Sequence, residues 1–253
     1  IIGSGGLGCT LGIALGASGI GEFTFVDFDT VGVHNIHRQI AFKVGDDGKY
    51  KAEVLKELME SRCPYVKVNA YTKTFDEFAK EDLTFDLIID ATDNLPTRAA
   101  INEYCMKHNQ PWIYGSVEEF HGQVCFFEKA SYEAIFQIND RKPNGIACPI
   151  VMHIGSLQAN LALRYLAGLS VKKDVLYYLS FDSEGALNTK KFFTHVKPKI
   201  TICTSDYQNQ YEHPRPSVKQ TLYDLEIPVY TTKTGDIIIE SIKGHREHYK
   251  LTN

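Results

Sequence analysis

Ile1-Ile2-Gly3-Ser4-Gly5-Gly6-Leu7-Gly8 opens the chain, and the fold is decided by how this stretch is read. Two β-branched residues end a strand, glycines make a turn, and Gly6–Ser18 continues as a helical candidate. Gly3, Gly5 and Gly8 fit the GxGxxG spacing. Glycines there let the backbone pass close to a phosphate, whose charge is met by N–H groups at the helix N-terminus. Asp27 ends the next strand candidate, Phe23–Phe28, 24 residues after Gly3, where an acid would bind a ribose hydroxyl. Loop and acid together point to a nucleotide rather than to a tight turn with a solvated acid. They do not choose between a dinucleotide and ATP.

Outward from this stretch, Val66–Tyr71, Phe85–Asp90 and Pro111–Gly115 are further short strand candidates, with helical candidates Lys49–Arg62 and Leu95–His108 between them. Such alternation predicts a Rossmann-like α/β fold, a mostly parallel sheet with helices on both faces. Ligands of such sheets bind outside the carboxyl ends of the strands, at a switch in strand order. Beyond a strand at Gly122–Phe127 and a loop over Lys129–Asn144, a long helix runs from about Pro149 to Ala167, with Ile150, Ile154, Leu157 and Leu161 on one face. Val175–Phe181 and Lys191–Val196 read as a hairpin about Ser183-Glu184-Gly185, so antiparallel strands extend the sheet toward the C-terminus. After Cys203 the composition turns polar and proline-bearing over Tyr207–Pro216, and strand candidates Pro228–Tyr230 and Asp236–Ile242 flank Thr234-Gly235.

The 253 residues are 43% apolar and 23% charged, which fits a globular protein with a real core and excludes a disordered tail or a small disulfide scaffold. A net charge of -4, from 27 basic and 31 acidic side chains, offers no basic field for nucleic acid. No apolar run approaches the ~18–20 residues of a membrane helix. Cys9, Cys63, Cys105, Cys125, Cys148 and Cys203 form no CxxC pair, and thiols so scattered fit the reducing cytoplasm. The chain begins at Ile1 and runs straight into glycines, which reads as a start with a segment missing upstream.

The choice of nucleotide comes from three further features. Lys51 lies in the middle of the apolar stripe made by Val54, Leu55 and Leu58, and an inward lysine must find an anion. A triphosphate satisfies it; a snorkelling stem at a helix start is the plainer alternative. Arg38, in Asn35-Ile36-His37-Arg38-Gln39, is a second candidate for phosphate, or a surface partner for Asp29. Ile88-Ile89-Asp90-Ala91-Thr92-Asp93-Asn94 ends an apolar strand in short acids and an amide. Asp93 there suits a magnesium ion whose other ligands are water and phosphate oxygens, or else an N-cap for the helix beginning near Leu95.

These segments, with Lys51-Ala52-Glu53 and Ile154-Gly155-Ser156-Leu157-Gln158-Ala159, resemble in order the ThiF/MoeB/HesA family, bacterial relatives of ubiquitin-activating enzymes. The resemblance covers about residues 1–203 as an adenylation domain and leaves 204–253 as an extension of unknown role. It implies an adenylyltransferase that uses ATP and magnesium to activate the C-terminal glycine carboxylate of a small β-grasp sulfur carrier ending in Gly-Gly, for thiamine or molybdopterin biosynthesis. A homodimer is implied as well. By position, the resemblance puts Asp27 on the ribose, Arg38 and Lys51 on the phosphates, and Asp93 on magnesium. Gly3, Gly5, Gly6, Gly8, Asn35, Gln39 and Asn94 complete the implied nucleotide site. Catalysis would then be alignment and charge neutralisation, since a carboxylate is already a nucleophile.

Three departures accompany the likeness. The cysteine pairs that hold structural zinc in many members are missing, so no zinc is expected. The loop Lys129–Asn144 has no cysteine for a covalent intermediate, and Cys148 just beyond it is a weak substitute. A family arginine from upstream of the glycine strand, which reaches the partner subunit's ATP, has no counterpart in this sequence. A peptide-adenylating relative therefore stays open beside the carrier reading. An NAD-dependent oxidoreductase would leave Lys51, Arg38, Asp93 and Asn94 unexplained, and a non-catalytic scaffold would not need all of the charged groups.

Overall fold

The structure, a computed structural model, describes residues 1–136, 145–180, 201–203, 216–227, 229–231, 238–241 and 249–252. Ile1–Phe181 forms one compact unit and Asp182–Asn253 a second. In the first, α1 (Gly6–Gly16) leads to β1 (Glu22–Val26), α2 (Lys51–Arg62), β2 (Lys67–Tyr71) and a short α3 (Phe75–Phe78). There follow β3 (Ile88–Ile89), α4 (Leu95–His108), β4 (Trp112–Glu118), β5 (His121–Phe127), α5 (Tyr132–Ile135), α6 (Cys148–Leu166) and β6 (Leu176–Ser180).

β1 and β2 pair in parallel, with Phe25 opposite Ala70. Ile2 forms parallel bridges to both Val26 and Asp90, so the opening residues lie between β1 and β3. β3 and β4 are parallel, while β4–β5 and β5–β6 are antiparallel. The chain leaves the opening segment toward β1 and β2, then returns to β3 on its other side. That reversal is the switch in strand order, and the crevice above it receives the glycine loop and the ends of β1 and β3.

Side chains on the strands alternate between two cores, as a period of two requires. Phe25, Ile89, Ile113, Val124 and Phe126 belong to the cluster that includes Leu11, Leu55 and Ile150 of α1, α2 and α6. Val26, Ile88, Trp112, Tyr114, Cys125 and Phe127 belong to the other, with Phe75, Ile101 and Tyr132 of α3, α4 and α5. Helices therefore cover both faces of the sheet.

Several element boundaries differ from the sequence reading. β3 is limited to Ile88–Ile89, and Phe85 before it packs its ring at a tilt against Phe78, with centroids 5.8 Å apart. β4 runs on to Glu118 and turns into β5 through Glu119, whose φ is +52°. The loop after Lys129 contains a helical turn, α5, begun at Ser131. The hairpin turn at Ser183-Glu184-Gly185 and the strand Lys191–Val196 lie outside the described residues.

In the second unit, β7 (Thr201–Cys203) pairs in parallel with β8 (Val229–Thr231), and β9 (Ile238–Ser241) pairs antiparallel with β10 (Tyr249–Thr252). Among the described residues, the two strand candidates flanking Thr234-Gly235 thus pair with other segments, Val229–Thr231 with β7 and Ile238–Ser241 with β10. α7 (Pro216–Asp224) is a helix that the polar, proline-bearing composition did not suggest. Proline at its first position is compatible with a helix start, where the missing N–H would have no helical partner.

Candidate active site

Gly3 has φ +94°, and a Cβ on it would sit 2.6 Å from the Ala91 carbonyl oxygen and 3.1 Å from the Thr92 nitrogen. Only glycine lets the opening loop press against the end of β3 in this way. A Cβ on Gly6 would sit 2.7 Å from Val151 Cγ1 and 3.2 Å from the Arg38 carbonyl oxygen. The start of α1 is therefore pinched between α6 and the Arg38 segment. Gly5 lies beside Gln39, whose Nε2 would be 3.5 Å from a Cβ there, and Gly8 follows in the first turn of α1. That turn leaves N–H groups without helical partners, as every helix start does.

Asp27 sits just past β1 with both carboxylate oxygens engaged. Oδ2 accepts from the Ser4 N–H at 2.6 Å and Oδ1 from the Asp29 N–H at 2.8 Å. Burial pushes this carboxyl above the usual carboxylate range, opposed by the two N–H groups and by the charge of Lys51. Lys51, the first residue of α2, is 6% exposed. Its Nζ donates to Asp29 Oδ2 at 2.8 Å, so the partner of Asp29 is Lys51 and not Arg38. Arg38 is half-buried, with Nη1 3.3 Å from His37 Nε2. Asn35 closes the turn that presents Arg38 and Gln39, its carbonyl accepting both of their N–H groups at 3.1 Å.

At the end of β3 the roles of neighbouring residues separate. Asn94 caps α4, its Oδ1 accepting from the Thr97 N–H at 2.8 Å, and this leaves Asp93 exposed and out of the cap. An exposed carboxylate beside the glycine loop suits a magnesium ion that takes most of its ligands from water and phosphate. Among the described residues no group of three or more His, Cys, Asp or Glu side chains is placed to hold a metal by itself. Ser4 Oγ on the glycine loop and Gln39 Oε1 on the turn beside it are buried with no hydrogen-bond partner, so both segments carry polar atoms without a match inside the protein. Cys9, Cys105 and Cys125 are buried, and burial pushes each thiol up to about 12, which makes them poor nucleophiles. Cys148, at the start of α6, is the least covered of the five described thiols.

Residues 1–203 match the ThiF family. This chain belongs to that family. The ThiF-family chain is 35% identical to the adenylyltransferase and sulfurtransferase MOCS3 of Dictyostelium discoideum over 66% of its own length and 42% of that protein's. It is 30% identical to the sulfur carrier protein adenylyltransferase of Thermus thermophilus, over 80% of each chain. Against the molybdopterin-synthase adenylyltransferase of Escherichia coli the identity is 31%, over 66% of this chain and 72% of the other. The chain spans about half the length of the MOCS3 relatives it matches, 42% of the D. discoideum protein and 54% of that of Caenorhabditis briggsae. The crystal structure of E. coli MccB with MccA shares the fold, with a TM-score of 0.64 at 22% identity over 72% of this chain and 60% of that one.

Beneath the site of this ThiF-family chain lies a buried network that the sequence reading passed over. Asp90 has no exposed surface, and Arg98 is 6% exposed. Asp90 Oδ1 accepts from Thr92 N and Oγ1 at 2.8 and 2.7 Å, while Oδ2 is 3.3 Å from Arg98 Nε. Arg98 Nη2 donates to the Thr92 carbonyl at 2.6 Å, and Gln158 Nε2 donates to the Asp90 carbonyl at 2.7 Å. The loop that presents Asp93 is thus clamped from below. The signal was available, because Arg98 shares the buried stripe of α4 with Ile101, Asn102 and Cys105, as Lys51 shares that of α2.

Proposed function

We propose that this protein is an adenylyltransferase that activates the C-terminal glycine carboxylate of a small β-grasp sulfur-carrier protein with ATP. One observation carries the reading. The glycine loop, the acid after β1 and an inward lysine meet at the switch in strand order, joined through Ser4 N–H, Asp27, Asp29 and Lys51. The names of relatives from T. thermophilus and E. coli support a carrier protein as the acceptor. The adenylation domain covers 1–203, with 204–253 as an extension.

In this reading a carrier carboxylate oxygen forms a bond to the α-phosphorus, and the bond from that phosphorus to the bridging oxygen breaks as pyrophosphate leaves. Asp27 holds the ribose, and the loop Gly3–Gly8 gives backbone N–H groups to the phosphates. Asn35 and Gln39 shape the turn that brings Arg38 to the start of α1. Arg38 and Lys51 neutralise charge on the phosphates. Asp93, beside Asn94, holds magnesium, which when bound shields phosphate charge. None of these side chains needs to move a proton, because the attacking carboxylate is already ionised.

The protein acts as a homodimer in the cytoplasm, as the family likeness and the free thiols suggest. No described helix is long and apolar enough to cross a membrane. The test is ATP–pyrophosphate exchange with candidate carriers ending in Gly-Gly. Exchange that needs both carrier and magnesium is the expected result. NADH binding without exchange would replace the reading with an oxidoreductase, and tight ATP binding without exchange would leave a binding scaffold.

A further inference from the structure

The ammonium assigned to the phosphates is already occupied. Lys51 Nζ lies 2.8 Å from Asp29 Oδ2, and the two ends of the pair are unequally covered, with 7% of the Lys51 side chain exposed against 56% of Asp29. A buried ammonium requires a counter-charge, and in the structure Asp29 supplies it. The entrance to α2 is held independently of that carboxylate. The Lys51 N–H donates to the Asp29 carbonyl at 3.0 Å, the Val54 N–H to the Tyr50 carbonyl at 3.1 Å, and Thr30 bridges to Tyr50. The contribution of the Asp29 side chain is therefore electrostatic.

A polyphosphate that uses the same ammonium would meet the carboxylate. Two anions on one ammonium lie within about 6 Å of each other, twice an N–O contact, and repel. One positive charge cannot neutralise both. The exposed carboxylate can turn into water at little cost, while the buried lysine cannot follow it.

We propose that Asp29 is the internal counter-ion of Lys51, displaced when a polyphosphate binds and reclaiming the lysine as pyrophosphate leaves. The inference rests on the adenylation reading and adds to it a residue that works against ground-state affinity. Asp29 neutralises Lys51 in the empty site, weakens binding of ATP and pyrophosphate alike, and favours product release.

The experiment measures binding of ATP and of inorganic pyrophosphate by calorimetry to the full chain and to Asp29→Asn, Lys51→Ala and the double variant. Asparagine keeps the shape and an acceptor oxygen but removes the charge. Asp29→Asn should bind pyrophosphate about two- to fivefold more tightly, the range that a half-exposed ion pair allows. Stopped-flow release of pyrophosphate should slow by a similar factor. In the Lys51→Ala background the same substitution should give only the smaller gain left by charge repulsion. Asp29→Ser, also neutral, repeats the measurement should the asparagine variant fold poorly. Unchanged or weaker pyrophosphate binding, or an equal gain in both backgrounds, overturns the counter-ion and leaves the adenylation reading standing. A wild-type protein that binds neither ATP nor pyrophosphate removes both.

Discussion

Replacing Arg98 by methionine tests whether the buried pair holds up the floor of the site. Methionine retains an unbranched stem and deletes the guanidinium. Asp90 is fully buried, and Arg98 Nε stands 3.3 Å from its Oδ2. The same guanidinium holds the Thr92 carbonyl at 2.6 Å and the Gly115 carbonyl at 3.3 Å. Burial pushes the Asp90 carboxyl above the usual carboxylate range, and the charge of Arg98 opposes that push. Without Arg98 the carboxyl rises further and takes up a proton on folding. Removing one partner of a buried pair costs about 3–5 kcal/mol. Keeping a carboxyl of ordinary pKa protonated at neutral pH costs about 1.4 kcal/mol per pH unit, or about 4 kcal/mol. The two routes agree.

The sign follows from proton binding. The native variant holds a proton that the unfolded chain releases above about pH 4, so its stability falls as pH rises. The gap from wild type therefore widens by up to about 1.4 kcal/mol per pH unit, above the pKa that Asp90 has beside Arg98. Urea unfolding from about pH 5 to about pH 8 can be followed by fluorescence of Trp112, the single tryptophan of the chain, which is 2% exposed. A loss below about 1 kcal/mol, or a gap constant across pH, refutes the reasoning. The double variant Asp90→Leu/Arg98→Met leaves no charge to bury and should regain much of the loss.

Lys51→Ala and Asp93→Ala should each lower ATP–pyrophosphate exchange by about 2–4 kcal/mol of transition-state stabilisation, roughly thirtyfold to a thousandfold. Because Asp93 is exposed, its variant should keep the wild-type unfolding midpoint while losing exchange. Gly3→Ala places a Cβ 2.6 Å from the Ala91 carbonyl oxygen at φ +94°. Strain of about 1–3 kcal/mol is expected, read as a lower urea midpoint together with weaker ATP binding. Partial burial works to raise the Asp174 carboxyl, but the N–H groups of Glu128, Lys129 and Ala130 outweigh it and hold the carboxyl below the usual range. Asp174→Asn should cost about 1 kcal/mol at neutral pH. A depressed carboxyl stabilises above its unfolded pKa and loses that contribution as pH falls through its folded one, so this gap should close in acid.

The order of the longer elements in the first unit is legible because its strands and helices differ in period and are separated by turn formers, while the four-residue helices α3 and α5 are too short to show a period. Leu95–His108 has the same bounds in the sequence pattern and in the structure. Lys51 was readable as an inward charge from the stripe it interrupts. Arg98 carried the same signal, but its partner Asp90 looked like one more strand-end acid beside Asp93, and a one-dimensional pattern cannot separate two acids three residues apart. The pairing of Asp29 with Lys51 instead of Arg38 was equally closed to it, since both cations follow Asp29 at plausible distances along the chain.

By itself the amino-acid order determined the glycine turn, the alternation of elements, and the kinds of charge that gather at the strand ends. These are local properties, set by backbone freedom and by apolar periodicity. Which charges pair was decided only by the tertiary structure. It exposes Asp93 by giving the cap to Asn94, buries Asp90 on Arg98, and seats Lys51 against Asp29. Coulomb energy depends on distance and on access to water, and neither exists for these residues until the sheet brings its strand ends together.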